Sequence, residues 1–185
     1  MFHNHSPILF SCAILRKRDE MKLSITKLWV RFLCPAWSVF PNLFVILTRL
    51  HRIRAAREDM KRNAALLQSA HYKYRGEYLQ SLLRQFVWRC EQPLDWRPWV
   101  ITIYLRSLRD DCDGAAILAR WALGKMGEES RLVHLYPAAG WQGHVVCVCD
   151  RLRIVASNGA VHRIAQNVTD QSLLTLFPAY AGGIR

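Results

Sequence analysis

Apolar residues recur at three- and four-residue steps between positions 51 and 89. Leu66, Leu67, Tyr74, Tyr78, Leu82, Leu83 and Phe86 carry the pattern, with Arg, Lys and Glu between them. That period places one stripe of side chains on one side of a helix and predicts a helical region with a basic outer face. Gly76 is the expected division into two helices. Pro93 and Pro98 bracket a turn ahead of residues 99–108. Next, residues 115–123 are apolar nearly all round apart from Arg120, the signature of a helix buried in a core. Asp110 or Asp111 serves as its N-cap, and Gly124 and Gly127 supply stop signals.

Beyond that helix the texture becomes β-branched. Residues 131–136, 144–149, 152–158 and 161–165 read as short strands, and a short helix is expected at 170–177. Val145-Val146-Cys147-Val148 is apolar on both faces, as in a central strand. Helices followed by a strand meander predict an α+β fold.

The chain start is harder to place. Residues 25–47 are mostly apolar and 32–48 carry no charge, at the low edge of the roughly 17–25 residues that cross a bilayer. Pro35 and Pro41 interrupt any helix there. A membrane span, a surface or packing segment and a weakly ordered leader all stay open. Met21 and Met60 are alternative starts. The expected organisation is a leader over 1–50 and a domain over 51–185, with its core at about 85–166.

Charge sharpens this division. The net charge is +12, and residues 1–109 hold 19 Lys/Arg against 7 Asp/Glu, so the whole excess lies there. The face carrying Arg52, Arg54, Arg57, Lys61 and Arg62 reads first as solvated. An anionic membrane surface met through residues 25–62 is the alternative, and nucleic acid is not the expected partner. Six cysteines (12, 34, 90, 112, 147, 149) lack disulfide-scaffold spacing, which predicts free thiols in a reducing, cytoplasmic setting. No secretory cleavage pattern stands out.

Chemistry concentrates at Cys112, in Arg109-Asp110-Asp111-Cys112-Asp113-Gly114-Ala115-Ala116. A cysteine nucleophile must be partly thiolate, so its pKa must fall from about 8.5; a helix N-terminus and a nearby imidazolium lower it. With Asp111 as cap, Cys112 sits among unpaired N–H groups, and its own N–H can stabilise an oxyanion. Gly114 and Ala115 keep the helix start small for a substrate carbonyl. Asp111 and Asp113 oppose thiolate formation, and their main expected role is to stabilise the helix start.

His144 follows Gly143 and opens the most apolar strand, with His134 and His162 as substitutes. By period two it shares a face with Val146 and Val148 while Cys147 and Cys149 point away, which argues against a zinc site. No metal or cofactor is expected. The third member depends on a hairpin. A two-residue turn at 150–151 puts Ser157 opposite His144, and a three-residue loop puts Asn158 there. Asn158 is the chemically better orienter, because its amide oxygen accepts from the imidazole N–H. Ser157 is the alternative.

Together, Asp95-Trp96, Asp110-Asp111-Cys112-Asp113-Gly114-Ala115, Gly143-His144-Val145-Val146 and Ile154-Val155-Ala156-Ser157-Asn158 resemble the transglutaminase-like superfamily. The likeness is to its small bacterial and phage cysteine peptidases and covers about residues 85–166. It implies a papain-like fold with the nucleophile on a core helix and its partners on an antiparallel sheet. Cys112 matches the nucleophile and His144 the general base. The family usually has aspartate third, commonly followed by asparagine; here Ser157 takes that place and Asn158 follows. Trp96 and Gln92 are candidates for completing the oxyanion hole. The expected activity is hydrolysis of an amide or isopeptide bond in a peptide or protein through a thioester. The alternatives are an inactive binding module with this fold and a basic-helix binder of nucleic acid or membrane.

Overall fold

The computed structural model describes residues 39–89, 98–138, 143–165 and 167–184. Helices α1 (Val39–Thr48), α2 (Ile53–Gln68) and α3 (Arg75–Leu83) come first. Strand β1 (Val87–Trp88), α4 (Val100–Leu105), β2 (Arg109–Asp110) and α5 (Cys112–Lys125) follow. The rest is β3 (Arg131–Pro137), β4 (His144–Cys149), β5 (Ile154–Ser157), β6 (Ala160–Arg163), α6 (Asp170–Leu176) and β7 (Tyr180–Ile184). Helices precede a meander, and the class is α+β.

The basic helical region divides earlier than Gly76. Its break spans 69–74, where His71 is extended (φ −60°, ψ 140°) and accepts the Lys73 N–H, and Gly76 lies inside the first turn of α3. Helix α5 starts and stops on local signals. Asp111 caps it by accepting the Asp113 N–H at 3.1 Å, and Gly127 leaves it with φ 75°. Helix α6 carries a reciprocal Thr169–Ser172 capping box.

Strands β3 to β7 form one antiparallel sheet in the order β6-β5-β4-β3-β7. Its central strand β4 is buried throughout, because both faces are covered. One face holds Val145, Cys147, Cys149, Ile154 and Ala156 against α5, with Leu79, Leu83, Ile103 and Leu105 of the other helices closing the larger core. The opposite face packs Val133, Leu135, Val146, Val148 and Val155 against Val168 and Leu173. The period-two pattern of β4 thus assigns each residue to one of two separate cores.

Two short elements fix the start of α5. Strand β1 runs parallel to β2, with Val87 N–H donating to Leu108 O at 2.8 Å and Arg89 N–H to Asp110 O at 2.7 Å. The chain reaches β2 through Ser107 and Leu108, both left-handed at φ 59° and 56°. At the far end of α5, the fully buried Glu128 carboxylate is gripped by Arg75 and Arg151. Those two ion pairs tie α3, the end of α5 and the β4–β5 loop together.

Candidate active site

Because α5 ends just before β3 begins, its N-terminus lies at the opposite end of that strand, where antiparallel β4 starts. Cys112 and His144 therefore occupy the same end of the sheet. Cys112 is half-buried as the first residue of α5, and its thiol points to Asp113 Oδ1 at 3.8 Å. Asp111 caps the helix through Oδ1, which matches its expected role. Asp110 is fully buried, pairs with Arg106 at 3.1 Å and accepts the Asp111 N–H at 3.0 Å. A Cβ on Gly114 would stand 2.3 Å from Asp110 Cβ. The glycine therefore makes room for this buried carboxylate, a need the substrate-access reading did not include.

His144 is 7% exposed, and its Nε2 lies 2.7 Å from Ser157 Oγ. The hairpin behind this contact differs from both expected turns. Cys149 pairs with Ile154, so the loop is residues 150–153, with Arg153 left-handed at φ 53°. Relative to a two-residue turn the register shifts by two, which preserves the facing parity. Ser157 thus stays on the His144 face, diagonal to it across Val146. Asn158 does not meet the histidine. It is exposed and forms, with Gly159, the two-residue turn between β5 and β6 (φ 44° and 84°), where Ser157 pairs with Ala160. Asn-Gly is the sequence that a type I′ turn needs, and that need accounts for Asn158.

Two aromatic rings enclose the imidazole. Phe177 lies 5.5 Å from it by ring centroids, and Tyr180 stacks on it at 5.8 Å with 28° between planes. Burial, helped by the nearby His134, lowers the His144 pKa from 6.5 to about 4. Among the described residues, no aspartate or glutamate contributes to that shift. Near neutral pH the ring is uncharged. Burial pushes the Tyr180 phenol up, with a further push from Cys112, so Tyr180 lies within electrostatic range of the thiol as well as on the imidazole. Nothing local in the sequence pointed to Phe177 or Tyr180. Phe177 ends α6, and Tyr180 opens β7, which adds beside β3.

The depressed pKa has a stability consequence. The unfolded chain binds a proton at His144 near pH 6.5, whereas the folded chain resists it until about pH 4. The contribution is complete above pH 6.5 and is lost as pH falls toward 4, amounting to about 3 kcal/mol. Urea unfolding across that window is expected to show falling stability, with a visibly shallower fall in His144→Gln.

His134 pairs with Val145 on the α5 face, and its ring fills the space beside Gly143, where a Cβ would meet Nε2 at 2.2 Å. His162 stands edge-on to Phe177 at 6.0 Å, behind the ring that covers His144. Cys147 and Cys149 are buried on the α5 face, with the Cys147 thiol pushed up to about 12 by burial and the Cys149 thiol raised for the same reason. Both are poor nucleophiles and poor metal ligands. Ligand atoms close enough to share an ion occur, among the described residues, at Asp111, Cys112 and Asp113, within 4.8 Å of one another. Gln92 and Trp96 lie outside the described residues.

No known family model matches the chain, and no curated protein matches it. The solved structure of calcium-bound LapG from Legionella pneumophila is similar to it, with a TM-score of 0.50 and 13% identity over 67% of this chain and 71% of that one. The likeness supports a distant transglutaminase-like fold.

Proposed function

We propose that the protein is a cysteine-dependent acyl-transfer enzyme, a hydrolase of peptide or isopeptide bonds, with Cys112 as nucleophile and His144 as base. The His144–Ser157 bond carries the reading. A buried imidazole held by one nitrogen, at the sheet end where a helix N-terminus presents a cysteine, supports nucleophilic catalysis. LapG, the similar structure, is a cysteine protease, which favours a peptidase-type substrate.

In the working tautomer Nε2–H donates to Ser157 Oγ and Nδ1 is left to take a proton. Cys112 Sγ attacks the carbonyl carbon while its proton passes to Nδ1. The Cys112 N–H, at the helix start, stabilises the oxyanion. Collapse breaks the C–N bond, the amine leaves with the proton from Nδ1, and water hydrolyses the thioester. Ser157 fixes the ring but supplies no negative charge, and Asp113 disfavours a thiolate. Deprotonation therefore accompanies attack, with no preformed thiolate–imidazolium pair. The test is p-nitrophenyl acetate. A burst of p-nitrophenolate and an acetyl thioester on Cys112 by mass spectrometry are expected, both absent in Cys112→Ala. An adduct on other residues with none on Cys112 would refute the assignment.

A second reading concerns calcium, which is bound in the LapG structure. A hard cation takes oxygen ligands, and Asp111 and Asp113 offer two carboxylates beside the thiol, which itself is too soft to contribute. These residues fit part of such a set. A bound cation there would offset their negative charge next to Cys112. Calcium is expected to raise the melting temperature relative to chelator, and Asp113→Asn to remove the difference.

A further inference from the structure

We propose that α1 and the arginines that follow it form a docking surface for an anionic lipid bilayer. The helix is pinned to the domain by one side. Asn42 is fully buried and its Oδ1 accepts from Trp99 N–H at 2.6 Å and from Thr102 Oγ1–H at 2.7 Å, while Val45 and Ile46 pack on the core beside it. The other side is left in solvent. Phe40 (76% exposed), Leu43, Phe44 (68%) and Leu47 (65%) follow one another at i, i+3, i+4 and i+7, with Val39 and Leu50 extending the stripe at its ends. Exposed aromatic and aliphatic side chains contiguous along one helix face are unusual in a soluble domain and mark a contact surface.

Charge identifies the occupant. From Met21 to Arg57 the sequence holds seven Lys/Arg and no Asp or Glu. In the described part these are Arg49, Arg52, Arg54 and Arg57, the last three exposed. Arg49 donates to Leu105 O at 2.8 Å and Arg52 to Ser107 Oγ at 2.8 Å, which holds both beside the end of α1. Burial and the neighbouring Arg106, Arg52 and Arg89 lower the Arg49 pKa, a mark of how crowded the positive charge is here. An apolar stripe continuous with an acid-free basic flank is what an interfacial helix presents: apolar side chains enter the acyl boundary and arginines meet the headgroups. Nucleic acid would engage the arginines but give Phe40, Phe44 and Leu47 no apolar environment. A second copy would bring the same positive charge against itself. Among the described residues no helix is long and apolar enough to cross a membrane.

The test is co-sedimentation of the full-length chain with phosphatidylcholine vesicles with and without phosphatidylglycerol. Binding to the anionic vesicles is expected, weakened by salt. Phe44→Ser with Leu47→Ser should weaken it by at least roughly tenfold. Removing Arg54 and Arg57 as glutamines should cost roughly fivefold each. Circular dichroism confirms folding; these side chains are exposed, and Asn42 still anchors the helix. Any of these results would overturn the proposal: no vesicle binding by the parent chain, binding indifferent to Phe44→Ser with Leu47→Ser, or a sedimentation dimer lost in that variant while vesicles are ignored. Equal affinity for duplex DNA, retained when the apolar pair is removed, would likewise replace it with a charge-only reading.

Discussion

His144→Ala is expected to slow acylation of Cys112 at pH 7 by about 10²–10⁴-fold, the usual worth of a positioned general base. The effect is this large because the variant loses the base assigned to the thiol. Asp113, at 3.8 Å, stabilises the protonated thiol, and the His134 ring is packed against Gly143. Ser157→Ala should cost less, on the order of tenfold, since Phe177 and Tyr180 still hold the ring plane while the tautomer is freed. Rates from the p-nitrophenyl acetate burst check both. Equal rates in parent and His144→Ala would leave His144 as a packed core residue.

Removing the carboxylate in Glu128→Ala is expected to destabilise the fold by about 3 kcal/mol, the low end for breaking a buried ion pair. The low end applies because Arg151 is 59% exposed and regains water, leaving the 19%-exposed Arg75 as the main uncompensated charge. The damage is not confined to one contact, since these bonds join α3, the end of α5 and the β4–β5 loop. That loop sets the register of Ser157 against His144. Urea denaturation should show the loss, and the mutant should also acylate more slowly at temperatures where it remains folded.

Most of the fold's logic was local and therefore legible. Asp111 ahead of an apolar run marked the start of α5, and the two-sided apolar run 145–148 marked a strand with a core on each face. The His144 and Cys147/Cys149 parity followed from period two alone. The register was not legible, because it depends on a four-residue loop closed by left-handed Arg153, and no glycine or asparagine announces that conformation. Asn158 was drawn into the site by its chemistry, although Asn-Gly between strands is first a turn signal. Gly114 looked like an approach for substrate, yet its neighbour is the buried Asp110. Phe177 and Tyr180 come from the end of α6 and the start of β7, and no nearby residue encodes the pairing of β7 with β3. The buried Asn42 that fixes α1 is of the same kind: one polar side chain whose partners, Trp99 and Thr102, lie far along the chain.

The pH dependence of Cys112 acylation, measured in the parent chain and in His144→Ala, tests the central assignment most directly. With His144 as a neutral base whose pKa is about 4, the parent should keep a substantial rate from neutral pH down to an inflection near that value. The variant should lose that plateau and follow the ionisation of a lone thiol, near pH ~8.5. Two superimposable profiles, both rising only with thiol ionisation, would contradict it.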